Sequence, residues 1–176
     1  MEESIKNMIF PNKIKFKLKR SSFYLNRLYI KNIKAEYIDS LNKSRFLKFK
    51  KKHTLKSQKL YIKKINASLN NFILGIYKNK KLVGTMNVQT YKKLNIGNKK
   101  FKNIVSFGIL IFNKYQKMNI GKNSIKNISQ CLSQIYNNVF STIDRRNNPS
   151  IKAFKYAGFK QMKYKKGNTL FFKYHK

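Results

Sequence analysis

The chain has 176 residues, with 41 lysines and arginines against five acids (Glu2, Glu3, Glu36, Asp39 and Asp144), for a formal charge of +36. One cysteine, Cys131, rules out an internal disulfide and reads as a reducing cytoplasm, and two histidines, His53 and His175, are too few for a metal cluster, so no metal is expected. At 41% hydrophobic the chain can bury one core, yet no apolar run nears the ~20 residues of a spanning helix, and the Met-Glu-Glu start does not read as a signal peptide, so no membrane partner is expected.

Residues 1–22 are basic and poorly periodic, and read as an arm packed loosely or not at all ahead of one domain over 23–176. The stretch "FYLNRLYI" (23–30) alternates like a strand, and "AEYIDSLN" (35–42) reads as a short helix. A charged connection, 45–53, leads to a helix over 55–65 with Thr54 as its natural N-cap. Two β-rich runs around Asn79-Lys80 (71–91) predict a hairpin. The segment 101–112 is apolar on both faces and so reads as a central strand. An amphipathic helix (119–136), a strand (139–144), a short helix and a closing strand pair complete the order βααβββαβαββ. This is a mixed α/β fold of α+β character, with one central sheet and helices on both faces.

The short helix lies in "RRNNPSIKAFKYAGF" (145–159). Asn148 is read as its N-cap and Pro149 as its first residue, where a missing N–H costs nothing. Ile151, Phe154 and Ala157 share one face, and Gly158 suits the left-handed stop. That reading leaves Asn147 with no structural job. The other informative junction is "GILIFNKYQKMNIGKNSI" (108–125), a buried strand, a short loop and a helix opening near Gly121. Free N–H groups at a helix start attract anions, and Lys114, Lys117 and Lys122 surround that point.

The pattern Gln116-x-x-Asn119-x-Gly121-Lys122, followed by Asn147-x-x-Ser150 and Gly158-Phe159, resembles the GNAT superfamily of acyl-CoA N-acyltransferases over roughly residues 22–174. Within it, the chain looks closest to the branch of ribosomal-protein alanine and amino-sugar N-acetyltransferases. The stretch "YIDSLN…KKHTLKSQKLYI" is similar to a pattern in members that acetylate nucleotide-linked sugars. The resemblance implies acetyl-CoA as donor, bound by Ile109, Leu110, Ile111, Gln116, Lys117, Asn119, Gly121, Lys122, Asn147, Ser150 and Phe154. It departs from the family pattern at three places. Asn119 stands for a glycine, Phe154 for the tyrosine that many members use to protonate the thiolate, and Ser106 for a strand glutamate that serves as base. With no acid near the centre, His53, Glu36, Asp39 or water held by Ser106 are the candidate bases, and His53 and Ser106 are taken forward as catalytic.

The implied reaction is direct acetyl transfer to a primary amine, with a nucleotide-linked amino sugar as the preferred acceptor because its pyrophosphate suits a basic cleft. A protein N-terminus is the second acceptor. The competing class is a nucleic-acid-binding module, for which +36 and aromatics interleaved with lysines, as in "YKKGNTLFFKYHK", argue. Lysine outnumbers arginine 36 to 5, as AT-rich coding also produces, so charge alone does not choose between them.

Overall fold

The structure, a computed structural model, describes residues 14–18, 21–46 and 52–175. In chain order the elements are β1 (Ile14–Leu18), β2 (Ser21–Arg27), α1 (Ala35–Lys43), α2 (Leu55–Asn66), β3 (Asn71–Lys78), β4 (Lys81–Ile96) and β5 (Lys99–Ile111). They continue as α3 (Ile120–Ile135), β6 (Asn138–Asp144), α4 (Asn148–Tyr156), β7 (Phe159–Lys166) and β8 (Thr169–Tyr174). The strands form one sheet in the order β1-β2-β3-β4-β5-β6-β8-β7. Every neighbouring pair is antiparallel except β5 and β6, which run parallel.

The expected order is present, with one strand added in front. Residues 14–18, read from sequence as part of a loose arm, pair with β2 from Ile14–Leu25 to Leu18–Ser21. Phe16 is buried there and stacks on Phe23 at 5.4 Å between ring centroids. Alternating lysines (Lys15, Lys17) hid the strand, because they mark its solvent face and the apolar face holds only three residues. The remainder of the arm, 1–13 and 19–20, and residues 47–51 of the charged connection lie outside the described residues.

Local chemistry explains the other elements. Thr54 caps α2, with Oγ1 accepting from Ser57 N–H at 3.1 Å while Ser57 Oγ accepts from Thr54 N–H at 3.0 Å. The β3–β4 turn holds Asn79 and Lys80 at φ 46° and 68°, the two positive angles of a type I′ hairpin turn. The core runs from Leu25, Leu74, Ile76 and Met86 in the sheet to Ile62, Ile128 and Leu132 in the helices, all fully buried. A smaller cluster of Ile96, Ile104 and Phe140 lies apart from it.

Alternation along β5 assigns the helices to faces. Ser106, Gly108 and Leu110 share a face with Phe112, whose ring is 5.9 Å from Tyr37 of α1. On the opposite face Phe107 meets Phe154 of α4 at 5.6 Å, and Ile111 packs against Gly121 of α3. Helices therefore cover both faces, α1 on one and α3 and α4 on the other.

Lysine in the left-handed region costs about 1 kcal/mol. Lys80→Gly, which creates the preferred Asn-Gly turn, should raise the unfolding free energy by ~0.5–1 kcal/mol in urea denaturation, with the midpoint moving and the slope unchanged.

Candidate functional site

The parallel pairing of β5 with β6 lasts only three residues: Ile104–Asn138, Val105–Val139 and Ser106–Phe140. Beyond it β5 keeps its register with β4 out to Ile111, while β6 continues to Asp144 paired with β8. The two strands therefore part, and a cleft opens between them. The bond from Phe112 N–H to Val83 O at 3.0 Å sets the alternation, so even-numbered β5 residues bond to β4 and Phe107, Ile109 and Ile111 turn their N–H and C=O groups toward the cleft. Two of those carbonyls are satisfied: Ser141 Oγ donates to Phe107 O at 2.8 Å, and Gln116 Nε2 donates to Ile111 O at 3.2 Å. Among the described residues no strand pairs with the N–H groups of Ile109 and Ile111. Gly108 between them is exposed, and a Cβ there would meet nothing within 4 Å.

The cleft ends at the start of α3. After a 3₁₀ turn over Asn113–Tyr115, Lys117 and Asn119 both take φ 61°, so the chain reverses twice within three residues. Asn119 is the N-cap residue, and its left-handed backbone turns its side chain away from capping. Its carbonyl instead accepts from Asn123 N–H at 3.3 Å and Asn123 Nδ2 at 2.8 Å. The N–H groups of Ile120, Gly121 and Lys122 are thus left at an open helix start with no acid in the first turn. Gln116 braces this loop, since Nε2 also donates to Asn113 Oδ1 at 3.1 Å. Lys122 Nζ stands 4.5 Å from the centroid of the exposed Tyr156 ring, tying the start of α3 to the end of α4.

Two readings of α4 change. Asn147, not Asn148, is the N-cap, its side chain accepting from Ser150 N–H at 3.2 Å, and Pro149 is the second helical residue. Asn147 thereby acquires the structural job that sequence left empty, because the loop reaches helical geometry one residue sooner. Phe154, read as lining the cleft, is 1% exposed. It packs edge-on to Phe159 at 4.9 Å and against Phe107 at 5.6 Å, where the strands part. Gly158 takes φ 96° and ends the helix as its sequence position implies.

The α1 face carries a polar network. Tyr37 Oη donates to Gln58 Oε1 at 3.1 Å, and Gln58 Nε2 lies 2.9 Å from His53 Nδ1. With Oε1 accepting, Nε2 donates, so Nδ1 of His53 is an acceptor and the neutral ring carries its proton on Nε2. Asn42 clasps the His53 backbone, accepting from N–H at 2.7 Å and donating to C=O at 3.0 Å. Burial pushes the Tyr37 hydroxyl pKa well up, so it remains a neutral donor. Tyr37, Asn42 and Gln58 were not singled out from sequence. The available signal was Gln58 itself, a polar residue four before Ile62 on the buried stripe of α2. Asp39 is paired with Lys43 at 2.9 Å on the surface, and burial pushes the Cys131 thiol pKa up. Glu36 borders a cavity of about 300 Å³ whose lining includes Lys31, Lys34, Lys80 and Lys81 around Tyr37 and Phe112.

No protein-family model matches the sequence, and no curated protein does. Solved structures match over most of their length. RimJ of Mycobacterium smegmatis, solved with CoA-disulfide, is 11% identical with TM-score 0.73, covering 93% of this chain and 87% of that one. An aminoglycoside acetyltransferase solved with coenzyme A and kanamycin is 13% identical with TM-score 0.67, covering 86% and 93%. A ribosomal-protein-alanine N-acetyltransferase from Brucella melitensis is 13% identical with TM-score 0.64, covering 85% and 97%. The chain has the GNAT fold, a mixed sheet opened between two parallel strands.

Asn147→Ala should cost about 1 kcal/mol in thermal or urea unfolding, and Asn148→Ala should be near neutral. Asp144, which Arg146 clamps through its side chain and backbone N–H, has its pKa lowered to about 2. Its stabilising contribution is present above the unfolded value near 3.8 and is lost as pH falls toward about 2. The melting temperatures of wild type and Asp144→Asn should therefore differ at pH 6 and converge toward pH 2.

Proposed function

We propose that this protein transfers an acetyl group from acetyl-CoA directly to a primary amine on a nucleotide-linked amino sugar. The observation that carries the proposal is the cleft between β5 and β6, with unpaired strand N–H groups along one wall and an acid-free helix start at its end. The residues fit the donor. Gly108 leaves the strand backbone uncovered, and the N–H groups of Ile120, Gly121 and Lys122 suit a diphosphate. Bound there, acetyl-CoA supplies an acyl group already activated as a thioester.

The chain supplies the rest. One of the two N–H groups, of Ile109 or Ile111, donates to the carbonyl oxygen as it gains charge, a contribution worth roughly 10²–10³ in rate. The two stand about 6.6 Å apart along the strand and do not share one oxygen. The lysines at 117 and 122 add positive charge beside the diphosphate, and Gln116 holds the loop that carries them. Leu110 faces the α1 side, where the acceptor enters. Ser106, on that same face, holds the water that takes the amine proton. His53, with Nδ1 engaged, presents Nε2–H to the acceptor and acts as a contact, not as a base. Asn147 and Ser150 shape the opposite wall through the α4 cap, and Phe154 supports it from beneath. Direct attack of the amine on the carbonyl breaks the C–S bond, and the sulfur departs as thiolate.

A small phosphate-bearing acceptor is favoured by the lysine-lined cavity of about 300 Å³ on the α1 face, the face that also carries Ser106 and Gly108. A protein N-terminus is the second reading, supported by likeness to the ribosomal-protein-alanine enzyme.

Thiol release from acetyl-CoA across amino-sugar nucleotides and N-terminal peptides tests both. Turnover confined to the peptides selects the second reading, and no release with any amine defeats the assignment. Gly121→Glu should weaken acetyl-CoA binding roughly a hundredfold by calorimetry, about 2.8 kcal/mol. Gly121→Ala, whose Cβ would sit 3.4 Å from Ile111, should bind normally.

A further inference from the structure

The series Tyr37–Gln58–His53 joins α1, α2 and the connection between them, and leads from the interior to a half-buried ring. Gln58 is 7% exposed and Tyr37 3%, so their hydrogen bond lies between the helices, shut off from water. An apolar pair of the same shape would hold two helices together about as well, because buried polar partners gain little net stability from bonding each other. What the pair contributes is its effect on the ring at its outer end.

The order of donors is set at the inner end. Tyr37 Oη donates to Gln58 Oε1 at 3.1 Å. Turning the amide over would set Gln58 Nε2 against Tyr37 Oη and strand the hydroxyl proton beside the Phe112 ring. Burial pushes the hydroxyl pKa of Tyr37 and of its neighbour Tyr61 up, so neither is a phenolate that would accept from Nε2 instead. With Nε2 committed to His53 Nδ1 at 2.9 Å, the neutral ring keeps its proton on its own Nε2. Asn42 holds His53 from α1 through both its N–H and its C=O, so the root of the side chain is fixed along with the tautomer.

We propose that Tyr37 and Gln58 are positioning residues that hold His53 as an Nε2–H donor, and that this donor bonds an oxygen beside the acceptor's amine. The second half rests on the acetyl-transfer reading, under which the ligand is an amine. A donor aimed at the amine nitrogen would tie up the lone pair that must attack the thioester. Nε2–H is therefore matched by an oxygen next to that nitrogen. A hydroxyl adjoining the amine of an amino sugar meets this need, as does the carbonyl of an N-terminal residue. A plain alkylamine does not.

The test is nitrogen-15 NMR of the two histidine side chains, His53 and His175, in the full chain at a pH where their signals show neutral rings. Wild-type His53 should carry its proton on Nε2. Gln58→Glu offers a carboxylate that accepts from Nδ1–H and from Tyr37 Oη together, and should move the proton to Nδ1. Tyr37→Phe alters no group that bonds to His53, yet it should free the amide to turn and bring the Nδ1–H form up to a detectable share. At the same pH, Gln58→Glu should raise the KM of the amine that releases thiol roughly tenfold or more, with kcat changing less, because a bare Nε2 then faces the oxygen. A wild-type proton on Nδ1, or a tautomer that ignores both substitutions, overturns the positioning role. An inverted tautomer with unchanged KM overturns the acceptor contact. Absence of thiol release with every amine defeats the acetyl-transfer reading and the acceptor contact with it, while the tautomers still decide the positioning role.

Discussion

Three residue pairs join β5 to β6, and almost everything of interest in this molecule follows from the pairing stopping there. A parallel ladder that ran to the strand ends would have satisfied every backbone group along β5. Because the strands part after Ser106 and Phe140, two N–H groups of β5 are left pointing into a cleft. Keeping the strands apart is a packing task. Phe107, the first residue past the last pair, is buried against Phe154 and Phe159, and Ser141 ties its carbonyl across the base of the cleft. The aromatic trio thus acts on the site without touching its contents.

The same separation dictates what each face of the sheet does. Side chains at 107, 109 and 111 go to α3 and α4, where they hold the wall that ends in an open helix start. Those at 106, 108 and 110 go to the α1 side, where the Tyr37–Gln58–His53 network and the lysine-lined cavity lie. Two ligands can therefore approach one strand from different faces, the arrangement that the proposed direct transfer uses.

Much of this architecture was legible in sequence, and the failures have physical reasons. Hairpins, caps and amphipathic helices are written locally: Thr54 before α2, Asn79-Lys80 between β3 and β4, and Gly158 after α4. Order of elements followed, and the loop from Gln116 to Lys122 could be recognised because its spacing is local too. Strand β1 was missed because five residues with two lysines carry too little period to stand out. The cap of α4 was misread by one residue because Asn147 and Asn148 are chemically identical candidates and only backbone geometry separates them. Phe154 was set in the cleft by analogy of position, while its burial depends on Phe107 and Phe159, which no helical period reveals. The His53 network joins residues from two helices and the connection between them, a long-range arrangement with no sequence signature.

Among the described residues β7 and β1 are the edge strands of the sheet, and they differ. At one end β7 runs past solvent with Lys160, Lys163, Lys165 and Lys166 exposed and a bulge that breaks its regular pitch. A strand from another molecule would have to meet charged side chains and an interrupted row of donors and acceptors, so this edge is a poor template for growth. At the other end β1 offers five residues, two of them outward lysines. Both described edge strands thus carry exposed lysines, which disfavours pairing with a neighbouring copy.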